Sequence, residues 1–265
     1  KMKSKALLIT FLLFAFCFSL FPQSKKDKKL WEQKVDSILY EFNSSSDPGA
    51  AVMIVKNSKV IFQKCYGMAD LSNNKNIDEN TNFRLASISK QFTAMCIMIL
   101  KERGKLKYDN TLKDIFPDFP EYGKRITVTN LLQHTSGLVD YEDMMPDTQT
   151  IQVHDKDVWK MMKSNDSTYF VPGAKYQYSN SGYAMLAMIV EKVSGKRYAD
   201  FLKQNIFNPL GMKNSLAYEK GISEISNRAY GYVKTETGFK ERDQSSTSAV
   251  LGDGGIYTSL SDYKK

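Results

Sequence analysis

The chain has 265 residues, of which 42% are hydrophobic and 12% aromatic. This composition excludes a disordered or collagen-like chain, and the length predicts one sizeable domain with an inserted subdomain. The formal net charge of +8 falls to about +5 (8 − 3) once Lys1, Lys3 and Lys5 are assigned to an N-terminal leader. Four lysines cluster next to the leader, at positions 25, 26, 28 and 29, and charges of both signs alternate along the rest of the chain. We therefore expect no nucleic-acid partner.

Residues 1–24 have the pattern of an export signal. Lysines at the start precede the uncharged run 6–20, and Pro22 and Ser24 follow it. This run of 15 residues is shorter than the ~18 residues of a membrane-spanning helix. We therefore expect an exported protein, periplasmic or secreted, that contacts a membrane only through the leader if the leader stays uncleaved.

After the leader, the hydrophobic pattern predicts a helix, a hairpin and a second helix. Residues 30–42 place apolar side chains at helical spacing. The runs 50–55 and 60–66 predict a β-hairpin, because the residues between them have turn chemistry. Residues 92–100 are apolar on nearly every face, which predicts a central, buried helix that ends before Gly104.

The next part of the chain, from 106 to about 212, consists mainly of helical segments separated by prolines and glycines. This pattern predicts an inserted all-helical subdomain, in which 183–193 is the clearest helix. The glycine-rich residues 252–255 predict a loop.

A serine and a lysine stand three residues apart at the start of the predicted buried helix. Ser87 and Lys90 occupy positions i and i+3, so their side chains share one face of the helix, about a turn apart. A serine hydroxyl is a weak nucleophile until a base removes its proton, and a lysine can do so when burial or a nearby cation lowers its pKa. Ser87 lies at the N-terminus of the predicted helix, so the positive end of the helix dipole points toward any anion formed at this serine. A lysine among apolar neighbours also requires a partner.

The segment Tyr178-Ser179-Asn180 is a second polar cluster, directly before the clearest helix of the subdomain. Two interpretations remain open. In one, Tyr178 beside a buried lysine shuttles the serine proton, and Asn180 bridges Lys90 and a substrate amide. In the other, the segment is a polar loop in which Asn180 or Ser181 caps the following helix.

The two histidines, His134 and His154, allow a further hypothesis. His134 could act as the base of a Ser-His-Asp triad, although no Gly-x-Ser-x-Gly elbow occurs; alternatively it holds a loop by hydrogen bonds. Without a His-x-x-x-His or paired-cysteine motif, we expect no metal site and no cofactor. Outside the leader, Cys65 and Cys96 are expected to be buried free thiols, with a disulfide as the alternative.

Five sequence motifs follow one another in the chain. They are PGAAV at 48–52, FRLASISKQFTA at 83–94, LLQHTSGL at 131–138, YSN at 178–180 and PLGM at 209–212. Together they resemble the serine β-lactamase and DD-peptidase (penicillin-binding protein) superfamily, most closely its class C-like branch. Several ordered motifs are far more specific than any one of them.

The resemblance implies an α/β fold of the α+β type, with an antiparallel sheet flanked by helices and an inserted all-α subdomain. With the leader at 1–24 and the helical subdomain at about 106–212 that the sequence pattern predicts, we expect one β-lactamase-related hydrolase domain at 25–265. The family's third motif, a Lys-Thr-Gly or His-x-Gly triplet on a strand, is expected after Gly254-Gly255. Since the chain ends first, we expect the C-terminal strands to be missing from it.

For the site, the resemblance implies that Ser87 is acylated, that Lys90 and Tyr178 carry the proton, and that Asn180 orients the substrate. The function expected is an exported serine hydrolase that acts on a β-lactam, a D-Ala-D-Ala peptide of peptidoglycan or a small ester. One alternative is a non-catalytic protein of the same fold that recognises cell-wall peptide or penicillin. Another is an esterase that depends on His134.

Overall fold

The computed structural model describes residues 25–265, so the expected leader at 1–24 lies outside the described residues. The helices are α1 (Lys25–Ile38), α2 (Lys90–Glu102), α3 (Leu112–Ile115), α4 (Val128–Leu132), α5 (Asp155–Ser164), α6 (Asn180–Ser194), α7 (Tyr198–Leu202), α8 (Asn208–Leu210), α9 (Leu251–Gly254) and α10 (Leu260–Tyr263). The strands are β1 (Ala50–Lys56), β2 (Lys59–Tyr66), β3 (Met68–Asp70), β4 (Lys75–Asn76), β5 (Phe83–Arg84), β6 (Leu216–Ala217), β7 (Tyr232–Thr235), β8 (Gly238–Glu241) and β9 (Ile256–Thr258). Short 3₁₀ turns occupy Tyr40–Phe42, Ala86–Ser89 and Glu121–Arg125, and a π-helical turn occupies Lys203–Phe207.

These strands pair in antiparallel fashion. β1 pairs with β2, β3 with β4 and β7 with β8, while β9 lies between β5 and β6 in a three-stranded sheet. Asn57 and Ser58 connect β1 to β2 with φ of 50° and 59°, the positive values that a tight hairpin turn requires. The predicted hairpin is confirmed, and the combination of helices with antiparallel sheets is the predicted α+β class.

The main core lies where α2 packs against α6. The buried apolar residues of α2 are Phe92, Cys96, Ile97 and Leu100. The prediction that α2 is buried on all sides is wrong, because Met95 and Met98 are 45% and 49% exposed. Within residues 25–265, the surrounding elements cover one side of this helix only.

Between β5 and β6, every element named above is a helix or a helical turn. The longest of these helices, α6, ends at Gly195, which adopts a left-handed conformation with φ of 68°. The exact limits of the predicted subdomain, 106–212, remain a prediction.

The prediction of a loop at 252–255 is wrong for residues 252–254, which belong to the short helix α9, while Gly255 follows the helix. Asp155 of α5 stabilises this turn: its carboxylate accepts the backbone N–H groups of Leu251 at 2.7 Å and Gly252 at 2.9 Å. Asp155, which accepts these hydrogen bonds, lies almost a hundred residues earlier in the chain. The glycine-rich run itself has no apolar periodicity that would predict a helix. The local sequence therefore gives no sign of this helix.

Cys65 and Cys96 are both free thiols, Cys96 fully buried and Cys65 partly exposed. Burial raises the pKa of both thiols, which makes them poor nucleophiles.

Across residues 25–265, no helix has the length and apolar character needed to cross a bilayer.

Candidate active site

Ser87, the candidate nucleophile, lies in a sharp turn between β5 and α2. Ala86 precedes it with a φ of 47°, a left-handed conformation that costs an L-residue roughly 1–2 kcal/mol. The chain then forms the 3₁₀ turn Ala86–Ser89, in which Ser87 is exposed, and continues directly into α2. The first amides of a helical turn have no partner within it. The Ser87 N–H can therefore donate to an anionic oxygen formed at this serine.

Lys90 begins α2 and is only 6% exposed. Its Nζ lies 3.3 Å from Ser87 Oγ, and it donates to Asn180 Oδ1 at 2.8 Å and to the carbonyl oxygen of Asp253 at 2.9 Å. The structure thus brings Ser87, Lys90 and Asn180 together, while the chemical role of each remains a prediction.

The pairing of β5 with β9 explains why Asp253 reaches this site. Arg84 of β5 lies opposite Tyr257 of β9 in an antiparallel pair, so the end of one strand lies beside the start of the other. The turn that carries Ser87 follows β5, and α9 directly precedes β9. Ser89 Oγ fixes this junction by accepting the N–H of Ile256 at 3.1 Å.

Asn180 begins α6, and its side chain points to Lys90 rather than capping the helix. The cap is Ser179, whose Oγ accepts a backbone N–H of the first turn at 2.9 Å. The interpretation in which Asn180 or Ser181 caps α6 is therefore wrong. The Asn180 Nδ2 donates to Glu142 Oε1 at 3.3 Å, which fixes the orientation of the amide.

Tyr178 contacts Lys90 through its ring. Lys90 Nζ lies 4.8 Å from the ring centroid, within the range of a cation–π contact, and the ring stacks on His134 at 4.6 Å. Among residues 25–265, no hydrogen bond joins the Tyr178 hydroxyl to Ser87 or Lys90. The predicted proton transfer through Tyr178 therefore requires its hydroxyl to move toward Ser87.

His134 holds the segment that carries Tyr178. Its Nδ1 accepts the backbone N–H of Ser179 at 3.0 Å. Burial, and then the charge of Lys90, lower the pKa of His134, so the neutral ring carries its proton on Nε2. No hydrogen bond between His134 and Ser87 occurs in the described part of the chain. This geometry favours a histidine that holds a loop over the base of a triad.

Two buried carboxyl groups, those of Asp253 and Asp155, interact with each other, and Asp253 also interacts with Lys90. Asp253 Oδ2 accepts a hydrogen bond from the Tyr141 hydroxyl at 3.0 Å. Burial raises the pKa of Asp253 more than Lys90, Tyr141 and Arg84 lower it, and the net value is about 7. Burial also raises the pKa of Asp155, more than the hydrogen bonds from the α9 backbone lower it, and the net value is about 7.

In residues 25–265, no group of three or more His, Cys, Asp or Glu side chains is arranged to hold a metal ion.

Sequence reasoning did not single out Asp253, Tyr141 or Glu142. The one signal in the local sequence is that Asp253 stands between Gly252 and Gly254. Glycines permit close backbone contacts, so they indicate that Asp253 lies in a closely packed segment. A Cβ added to Gly252 would lie 2.3 Å from the carbonyl oxygen of Tyr183. Nothing in the local sequence points to Tyr141, whose contact with Asp253 spans 112 residues.

Comparisons with known proteins agree with this geometry. A family model described as Beta-lactamase matches residues 35–265. Penicillin-binding protein 4* of Bacillus subtilis (strain 168) is 36% identical over 225 residues, which cover 80% of this chain and 49% of that protein. The chain spans about half the length of the curated relatives it matches.

Solved structures give the same result. An octameric penicillin-binding protein homologue from Pyrococcus abyssi superimposes with a TM-score of 0.74 at 27% identity, covering 88% of this chain and 54% of that chain. A class C β-lactamase superimposes with a TM-score of 0.73 at 26% identity, covering 89% of this chain and 64% of that chain.

Proposed function

Because the chain belongs to the β-lactamase family, we propose that the protein is an exported serine hydrolase that forms an acyl-enzyme at Ser87. The observation that carries this proposal is the position of Lys90 Nζ, 3.3 Å from Ser87 Oγ and held there by Asn180 and Asp253. Ser87 is exposed, so an acyl group on a small or a polymeric substrate can reach it.

In the proposed reaction, Ser87 Oγ attacks the carbonyl carbon of the substrate and its proton passes to Lys90, directly or through Tyr178. The Ser87 N–H donates to the oxyanion of the tetrahedral intermediate. Collapse of that intermediate expels the leaving group, which takes up the proton, and water then hydrolyses the serine ester. General base catalysis contributes roughly 10²–10⁴-fold, and an oxyanion donor about 10²–10³-fold.

The proposed substrates are a β-lactam, a D-Ala-D-Ala peptide of peptidoglycan and a small ester. Support for the first two comes from relatives named for penicillin binding and β-lactamase activity. A small ester belongs in the set because the same attack on an acyl carbonyl suits any activated ester.

Export is part of the proposal and is supported by the pattern of residues 1–24 alone. Fractionation of cells that express the full-length protein tests it. We expect the protein outside the cytoplasm, and a protein that stays in the cytoplasmic fraction would contradict export.

Steady-state hydrolysis tests the activity. The full-length protein is assayed with benzylpenicillin, with a peptide ending in D-Ala-D-Ala and with p-nitrophenyl acetate, beside Ser87→Ala and the control Ser167→Ala. We expect turnover of at least one substrate that Ser87→Ala abolishes and Ser167→Ala retains, because Ser167 is an exposed residue of the α5–α6 connection. Stable acylation without turnover would favour the non-catalytic recognition protein, and turnover that survives Ser87→Ala would refute the assignment.

A further inference from the structure

Asp253 contacts the candidate site with its backbone and is fixed there by its side chain. Its carbonyl oxygen accepts from Lys90 Nζ at 2.9 Å, and its carboxylate accepts from the Tyr141 hydroxyl at 3.0 Å. Asp253 is 6% exposed and Tyr141 is fully buried. One residue thus holds the lysine and places a carboxylate behind it.

The proposed reaction needs such a carboxylate. All three hydrogen-bond acceptors of Lys90 are neutral groups, namely a hydroxyl, an amide oxygen and a backbone carbonyl. When Lys90 takes the proton of Ser87 it becomes a cation in a site that is 6% exposed, and a buried cation is costly unless an anion compensates it.

Among the described carboxylates, Asp253 is best placed for this task. Asp140 and Glu142 also interact with the charge of Lys90, but Glu142 is exposed and Asp140 is only partly buried, so water screens both. Asp253 is buried, and Tyr141 fixes the direction of its carboxylate.

We infer that Asp253 is a positioning residue: its carbonyl oxygen holds Lys90 beside Ser87, and its carboxylate, oriented by Tyr141, compensates the cation that forms at Lys90. This inference rests on the proposed role of Ser87 as nucleophile. The proton moves from Ser87 Oγ to Lys90 Nζ and then to the leaving group, while Asp253 neither gains nor loses a proton.

The charged and titratable side chains that face Asp253 come from several elements. They are Lys90 of α2, Arg84 of β5, Asp155 of α5, Tyr198 of α7, and Tyr141 and Glu142 of the segment between α4 and α5. Asp253→Asn removes one negative charge from this group while keeping the size of the side chain and an oxygen that can accept from Tyr141. Its effect on the rate therefore reports the charge.

Loss of this charge affects the rate in two ways. Without the Asp253 carboxylate, the Lys90 cation forms less readily, so the rate constant of Ser87 modification falls. Burial raises the pKa of Asp253 to about 7, so its contribution to the wild-type rate is lost as the pH falls through about 7, and Asp253→Asn lacks this pH dependence. A purely structural defect would lower the rate by the same factor at every pH.

The test measures the rate of Ser87 modification against pH by intact-mass analysis, with benzylpenicillin and with a fluorophosphonate that labels any activated serine. The variants are Asp253→Asn, Tyr141→Phe and the control Asp262→Asn, all in the full-length protein. Asp262 is matched because its carboxylate is also buried, 1% exposed, and bonded to Asn214 and Ser215. We expect Asp253→Asn to lose at least tenfold in rate above pH 7 and progressively less below it, Tyr141→Phe to lose less, and Asp262→Asn to keep the wild-type profile.

The outcomes separate the inference from the function on which it rests. If Asp253→Asn folds and reacts at the wild-type rate at every pH, the inference is overturned and Ser87 remains the nucleophile. A wild type that reacts with the fluorophosphonate but with no substrate refutes the proposed hydrolase, while the fluorophosphonate rates still decide the role of Asp253. If neither probe labels the wild type at Ser87, both proposals fail.

Discussion

At the scale of single residues, the position of Lys90 depends on three chain segments that are distant in sequence. Ser87 lies one turn before it, Asn180 begins α6, and Asp253 belongs to α9. A buried donor left without an acceptor costs roughly 1–3 kcal/mol, so the acceptors fix the side chain in one orientation. The same network explains why Lys90 and not His134 is the expected proton acceptor.

Lys90→Ala and His134→Ala separate the two candidate bases. Lys90→Ala should lower the rate of Ser87 acylation by about 10³-fold, within the usual range for loss of a general base. His134→Ala should lower it by less than about tenfold, because it removes the hydrogen bond to Ser179 and ring contacts with Tyr176, Tyr178 and Tyr183, but no hydrogen bond to Ser87. Acylation rates measured with benzylpenicillin check both values.

Lys101→Ala is the matched control, since Lys101 is an exposed lysine in the last turn of the same helix. It should acylate at the wild-type rate. The reverse pattern, in which His134→Ala abolishes acylation and Lys90→Ala spares it, would support the His134-dependent esterase.

At the scale of elements, the close approach of α9 to α6 sets the position of Asp253. Gly252 packs against the backbone of α6, where an added Cβ would lie 2.3 Å from the Tyr183 carbonyl oxygen and 2.7 Å from the Cβ of Ala187. Neither atom belongs to the far end of a flexible side chain, so α9 itself would have to move.

Gly252→Ala should therefore lower the free energy of unfolding by about 1–3 kcal/mol through overpacking, and it should slow Ser87 acylation because α9 carries Asp253. Gly182→Ala is the control: its Cβ would make ordinary contacts, the nearest at 3.4 Å, and alanine favours the helix by up to about 1 kcal/mol. Urea unfolding checks both variants. Equal stability of Gly252→Ala and the wild type would contradict the close packing of α9.

Sequence patterns predicted the elements that have a local signal. Apolar residues located α2 and α6, and the turn residues located the β1–β2 hairpin. Strands β5 and β6 have two residues each, too few to show an alternation, so the three-stranded sheet could not be predicted from periodicity. The exposure of Met95 and Met98 also depends on tertiary packing, which hydrophobicity alone does not specify.

The candidate site divides in the same way. Ser87 and Lys90 could be found because their spacing of three residues is local, and Asn180 because it stands in a short motif. Asp253 and Tyr141 could not, since their contacts join residues 112 or more positions apart. The sequence leaves open whether Asn180 caps α6 or contacts Lys90, because both depend on which residues lie nearby in the fold.

At the scale of the whole molecule, a buried carboxyl links stability to pH. Asp155 has a folded pKa of about 7 against an ordinary value of 3.8. The folded state therefore binds this proton more tightly, so the stabilisation is complete below about pH 4 and is lost as the pH rises through about 7. Over that window the free energy of unfolding therefore falls as the pH rises.

Asp155→Asn removes this titration. The stability of the wild type relative to Asp155→Asn should fall between about pH 4 and pH 7, measured by urea unfolding at several pH values. Comparing the two proteins cancels the opposite contribution of carboxyls whose pKa is lowered, such as those of Asp36 and Asp70. Parallel curves over this range would show that Asp155 does not titrate there.

The most direct test of the central claim is intact-mass analysis of the full-length protein after incubation with benzylpenicillin, followed by peptide mapping of the adduct. We expect one penicilloyl adduct per chain, located on Ser87, and none on Ser87→Ala. An adduct on another residue, or equal labelling of Ser87→Ala, would contradict the assignment of Ser87 as the nucleophile.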